Sequence, residues 1–269
     1  MKISILGPAG TFSHEAALKY NKNATIIFKN TIRDVFESVS TNEAEFGLVP
    51  VENSIAGTIG QTLDYLIRYK LNIVAEETLS ICHNLVGFGK TKGIRVLYLH
   101  QQTYEQCESF VKKILPKTEI IFTSSNGKSA EILAKSKKIS EASILPNIAT
   151  RIYKLKIIKK DVQDNAYNVT RFFIIGKNDN GKTNHDKTSI ALRPKADRPG
   201  LLFKILGEFA KRSINLTKIE SRPTKGKLGE YIFYVDFEGH SSEDTIKTAL
   251  KEIESSALVI VLGSYPRRY

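Results

Sequence analysis

NAYNVTRFFIIGKNDNGKTNHDK, residues 165–187, holds the two features on which the fold turns. Phe172, Phe173, Ile174 and Ile175 form a continuous apolar run, which reads as a strand that must be buried. Gly176 to Lys187 then contains no large apolar residue and is rich in Asn, Asp, Gly and Lys, the composition of a linker between two domains. Thr170 and Arg171 stand at the seam, where a hydroxyl and a guanidinium meet the mouth of the buried strand.

Upstream, short apolar runs alternate with helical patterns. KISIL (2–6), TIIF (25–28), FGLVPV (46–51), RVLYL (95–99), EIIF (119–122), ASIL (142–145), KIIK (156–159) and VTRFFIIG (169–176) read as strands. Residues 71–88 read as one long strand or two consecutive ones. Apolar residues at helical spacing mark 13–20, 32–40, 58–69, 103–115, 128–136 and 147–153. This alternation predicts an α/β domain with a mostly parallel sheet, and in such sheets ligands bind at the loops beyond strand ends. Downstream the order is strand, helix, strand, strand, helix, strand, a ferredoxin-like βαββαβ domain.

Composition excludes several function classes. The 269 residues are 41% hydrophobic and carry a net charge of +12. Residues 1–176 hold 23 basic and 16 acidic groups, and the remainder 17 and 12, so the excess is spread evenly. That is a lysine-rich solvated surface without the basic arm or stripe of a nucleic-acid binder. No window suits a membrane span or a secretory leader, so a cytoplasmic protein is expected. Cys82 and Cys107 form no redox or metal spacing, and the five histidines are scattered, so no metal site is expected.

Three segments carry polar groups at strand ends. In GPAGTFS (7–13), Thr11 and Ser13 open a helix whose free amides suit a carboxylate, although Ser13 as a plain N-cap would account for the same residues. In PVENSIAGTIG (50–60), Glu52, Asn53 and Ser54 follow a buried strand, where a polar ligand site and an ordinary turn read alike. In NVTRF, Arg171 suits bidentate grip of a carboxylate, and Thr170 points to the opposite face if the backbone there is already extended.

Taken in order, these segments resemble the prephenate dehydratase family. The resemblance rests on Gly7–Ser13, on Val49–Ser54 as VPxENS, on His83 in ICHNL, on His100-Gln101-Gln102 through Gln106-Cys107, and on Asn168, Thr170, Arg171 and Phe172 as NxTRF. Gln101 stands where the family usually has proline, and SSNGKSA (124–130) matches only approximately. The resemblance implies a two-lobed, type II periplasmic-binding-protein-like catalytic domain over 1–177. Its lobes would be about 1–77 plus 164–177, and 78–163. The activity implied is decarboxylative dehydration of prephenate to phenylpyruvate, without cofactor or metal, since aromatisation drives the reaction. Thr170 inherits the role of acid toward the departing hydroxyl, as donor or relay, because an alcohol is a weak acid. Arg171, Phe172, Thr11, Asn53, Ser54, Glu52, His83 and Asn168 are the implied substrate-binding residues, and Glu52 could instead neutralise a basic neighbour.

The segment from 187 to 269 resembles an ACT domain of the dehydratase type. Gly200, Leu201 and Leu202 stand at its GALV-like motif, which departs at the second and fourth positions, and Glu220, Ser221, Arg222 and Pro223 match ESRP in full. L-phenylalanine as allosteric effector and a homodimer or homotetramer follow from the resemblance. With no helical segment before Lys2, a fused chorismate mutase is not expected. Two other readings remain open: a two-lobed binding protein, and arogenate dehydratase, whose substrate differs only at the side chain.

Overall fold

A computed structural model describes residues 1–196, 198–224, 226 and 229–268. Of the domain expected over 187–269, Asp197, Lys225, Lys227, Leu228 and Tyr269 lie outside the described residues. Along the chain run β1 (Lys2–Leu6), α1 (Phe12–Tyr20), β2 (Thr25–Lys29), α2 (Ile32–Ser40), β3 (Phe46–Asn53), β4 (Gly57–Thr58), α3 (Gly60–Tyr69) and β5 (Asn72–Ser80). Then follow β6 (Asn84–Gly87), β7 (Val96–His100), α4 (Gln101–Glu105), α5 (Glu108–Ile114), β8 (Glu119–Thr123), α6 (Asn126–Ser136), β9 (Glu141–Leu145), α7 (Asn147–Ile152), β10 (Ile157–Lys159) and β11 (Val169–Gly176). The last six are β12 (Asp186–Pro194), α8 (Leu201–Ala210), β13 (Leu216–Pro223), β14 (Tyr231–Glu238), α9 (Asp244–Glu254) and β15 (Ala257–Pro266).

Contacts divide the chain into two compact units. The first is Met1–Val35, Leu48–Thr58 and Thr78–Phe172; the second is Phe36–Gly47, Ile59–Glu77 and Phe173–Tyr269. The sheet ordered β2-β1-β3-β11-β5, with β4 on β3, contains the strands that pass through both. A second sheet, ordered β10-β6-β9-β7-β8, lies within the first unit. The sheets are mixed where a mostly parallel arrangement was expected: β7 is parallel to β8 and β9, but β6 runs antiparallel to β9 and β10. The reversal comes from residues 71–88, which form two strands, β5 and β6, in different sheets.

One long helix expected over 103–115 is two. Asp164 accounts for the break: its carboxylate accepts from the Ser109 and Phe110 N–H groups and starts α5, while its own N–H takes the Gln106 carbonyl. The helix start of α1 also differs in detail. Thr11, and not Ser13, is the N-cap, accepting from the His14 N–H at 3.4 Å, and Ser13 is buried inside the helix.

Within the second unit, β12–α8–β13–β14–α9–β15 forms the ferredoxin-like sheet, ordered β13-β14-β12-β15. Ile190, Leu192, Ile205, Phe209, Val235, Phe237, Ile246 and Ile253 make its core between sheet and helices. Lys187 and Glu76 form an ion pair with both side chains fully buried, at 2.9 and 3.2 Å. No described helix is long and apolar enough to cross a membrane.

Candidate active site

The residues at the mouth of β11 lie in the first unit and meet the end of β3. Thr170 and Arg171 alternate across the strand, as extended geometry requires. Their partners alternate too: Asn53 Nδ2 donates to Thr170 Oγ1 at 3.0 Å, and Glu52 Oε2 lies 3.9 Å from the Arg171 guanidinium. The hydroxyl and the guanidinium therefore belong to opposite faces. Arg171 is 5% exposed and beside a carboxylate, which fits neutralisation by Glu52. Phe172 is fully buried in the core, contributing about 2–3 kcal/mol by burial.

The ENS loop is built by its own polar groups. Asn53 Oδ1 accepts from the N–H groups of Ile55 and Ala56, closing the turn. Its Nδ2 donates to Asn168 Oδ1 at 2.7 Å and reaches the Val169 carbonyl at 3.3 Å. The Ser54 hydroxyl donates to the Tyr167 carbonyl and accepts from the Val169 N–H. Ser54 thus ties the loop to β11, and its proton is already committed. Asn168 is 1% exposed and its Nδ2 has no acceptor among the described residues.

His83 is 1% exposed, between the two sheets' strands β5 and β6. Its Nε2 lies 2.8 Å from Gln106 Oε1, its Nδ1 has no partner among the described residues, and the Phe12 ring meets it edge-on at 5.2 Å. Burial lowers the imidazole pKa, and the Gln106 hydrogen bond opposes this in part. The ring is therefore neutral at working pH. Thr11 is a half-buried helix cap whose hydroxyl also points at the Leu6 carbonyl, 3.4 Å away.

Two residues within the matched segments were given no role by the sequence. Gln106 holds His83, but nothing in the spacing of the two residues marks them as partners. Gly127, in the first turn of α6, lets the helix approach the loop after β1: a Cβ there would overlap the Ala9 carbonyl oxygen and stand 2.9 Å from Pro8 Cγ. The α1 and α6 N-termini, capped by Thr11 and Ser125, thus border the same loop. Among the described residues no cluster of His, Cys, Asp and Glu could hold a metal ion.

In the second unit, a cavity of about 630 Å³ is lined by Gly200, Leu202, Phe203, Arg193, Arg198 and Tyr231, among others. Gly200 has φ +81° and precedes α8, a conformation that favours glycine. Leu201 lines the cavity as well while packing on the core. Glu220 to Pro223 do not line this cavity. On β13 exposure alternates, leaving Ser221 and Pro223 outward, while Arg222 turns to α3, 3.5 Å from Asp64 and against Gly60.

Comparisons with known proteins bear on both units. The prephenate dehydratase family profile matches residues 3–180 and the ACT domain profile matches 196–255. The bifunctional chorismate mutase/prephenate dehydratase of Aquifex aeolicus (strain VF5) is 40% identical over 99% of this chain and 74% of its own. The prephenate dehydratase of Methanocaldococcus jannaschii is 39% identical over 96% of both chains. The crystal structure of prephenate dehydratase from Arthrobacter aurescens in complex with L-Phe superposes with a TM-score of 0.90 at 32% identity, over 99% of this chain and 90% of that one. The fold is thus the periplasmic-binding-protein-like α/β domain followed by an ACT domain. With TRF, ENS and the buried histidine assembled in one unit and the family profile spanning them, the chain belongs to the prephenate dehydratase family.

Proposed function

We propose that this chain turns prephenate into phenylpyruvate at the mouth of β11, with Thr170 acting on the departing hydroxyl and L-phenylalanine regulating from the ACT domain. The reaction breaks the bond from the ring to its carboxylate, and the electron pair moves into the ring. The carbon–oxygen bond opposite then breaks, and the departing oxygen takes a proton to leave as water. CO2 and an aromatic ring result, so the protein's task is to orient a dianion, supply a donor and exclude water.

The observation that carries this reading is the Thr170 hydroxyl. It is 9% exposed, its oxygen accepts from Asn53, and its own proton has no acceptor among the described residues. It is a donor held ready at the mouth of β11. A lone alcohol is a weak acid, so Thr170 donates a hydrogen bond first and passes a proton supplied by water.

In the ACT domain, Arg193 and Arg198 suit a carboxylate and Tyr231 and Phe203 an aromatic ring. Ser221 and Pro223 sit on the outward face of β13, an edge strand, as does Ile219, which is 46% exposed. An open edge favours pairing between copies, and a homodimer or homotetramer would bring these residues to a neighbour's effector cavity. A cytoplasmic location fits a biosynthetic enzyme.

The test is product formation from prephenate, read by the absorbance of the phenylpyruvate enolate in base, with and without phenylalanine. Product that falls as phenylalanine rises is expected. Product only from arogenate would change the substrate, and none from either would remove the enzymatic reading.

A further inference from the structure

We propose that Asn53 is a positioning residue that fixes the direction of the Thr170 hydroxyl, and that Asn168 holds the Asn53 amide in place. The proposal rests on the role given to Thr170 above. Its basis is that the orientation of the Asn53 amide is settled by the backbone. Two N–H groups, those of Ile55 and Ala56, reach one atom of the amide at 3.0 and 2.9 Å. Backbone N–H groups only donate, so that atom is the oxygen and the other is the NH2.

The NH2 therefore donates to whatever it faces. It faces Asn168 Oδ1 at 2.7 Å, Thr170 Oγ1 at 3.0 Å and the Val169 carbonyl at 3.3 Å. Thr170 is consequently an acceptor toward Asn53, and its O–H must rotate away from the amide. An oxygen that accepts one hydrogen bond is polarised to donate another. The same contact fixes Asn168: its oxygen is taken, so its NH2 points elsewhere. That NH2 is buried and has no acceptor among the described residues.

As the carbon–oxygen bond of the substrate breaks, its electron pair goes to the departing oxygen. Charge develops there, and a preorganised donor stabilises it more than it stabilises the neutral hydroxyl. The tie between Asn53 and Asn168 also aligns the end of β3 with the start of β11, so the Thr170 donor is set by strands.

The experiment is Asn53→Asp, with kcat and KM for prephenate followed across pH. Aspartate keeps the side-chain shape and the two bonds to Ile55 and Ala56. When ionised, its second oxygen only accepts, so the Thr170 O–H turns toward it and the Asn168 NH2 is drawn in as well. The expected result is a fall in kcat of about 10²-fold, with little change in KM. Part of the activity should return as pH falls through the new carboxyl's titration, because the acid form donates to Thr170 again; the parent protein lacks this limb. A loss that is flat with pH, or confined to KM, would overturn the proposal. Should Asn53→Asp melt too low to assay, Asn53→Ser carries the same test. A serine hydroxyl still caps the turn but is too short to reach Thr170, and full kcat in that variant would equally overturn it. Failure of Thr170→Val to reduce kcat would instead remove the reading beneath the proposal, so the two failures are distinguishable.

Discussion

Replacing Gly127 by alanine tests whether the close approach of α6 to the β1–α1 loop sets the catalytic geometry. Gly127 lies in the first turn of α6, so alanine suits the backbone and by propensity alone would favour the helix by about 0.5–1 kcal/mol. The new methyl has no room, however. It overlaps the Ala9 carbonyl oxygen and approaches Pro8 Cγ to 2.9 Å. The chief obstacle is backbone, which cannot rotate away as a long side chain would. Relief requires α6 and the loop to separate by roughly an ångström, the difference between this overlap and ordinary contact. A second pin resists local adjustment, since Gly10 sits tightly against Ala149 and Tyr153, with 3.3 Å to each from a Cβ placed there. A displacement of about 1 Å at a positioning element can cost about 10²-fold in rate. Initial rates of phenylpyruvate formation across a range of prephenate concentrations should show kcat/KM reduced by that order, with the melting temperature lowered as well because the overpacking costs about 1–3 kcal/mol. A kcat/KM within twofold of the parent would refute the idea that this contact sets the site.

Three further outcomes follow from the same geometry. Lys187→Met should lower unfolding free energy in urea by about 3–5 kcal/mol, because Glu76 would be left charged and buried; recovery in the Lys187→Met/Glu76→Leu double variant checks the cause. His83 has a folded pKa below its unfolded value of 6.5, so the unfolded chain binds a proton that the folded chain refuses, and stability present above pH 6.5 is lost as pH falls below it. Removing the group by His83→Asn should flatten that acid slope by up to about 1.4 kcal/mol per pH unit, read by melts between pH 7 and 5; an unchanged slope would contradict the buried neutral ring. Ser221→Ala should raise the phenylalanine concentration for half-inhibition about fivefold or more, and an unchanged titration would remove Ser221 from the effector site.

Much of this was legible in the sequence because hydrophobic periodicity is local. The run Phe172–Ile175 reads as a buried strand and is one, and the βαββαβ order after residue 186 reads directly from its alternation. The break between α4 and α5 was not legible, because Asp164 supplies it from more than fifty residues away. The same holds for Asn53: its pairing with Thr170 depends on β3 and β11 being neighbours, which no local pattern states. The ESRP motif shows a different limit. A resemblance treats Glu220 to Pro223 as one ligand set, but a strand sends Ser221 and Arg222 to opposite faces, and Arg222 packs on α3. Period-two geometry, applied to the motif, separates them without any structure.

The measurement that bears most directly on the account is kcat and KM for prephenate in Thr170→Val beside the parent protein. Valine keeps the branched shape and removes only the hydroxyl. The account predicts a kcat lower by about 10²- to 10⁴-fold with KM within a few-fold, the mark of a group that acts as the hydroxyl departs. A turnover equal to the parent's, or a defect confined to KM, would contradict it.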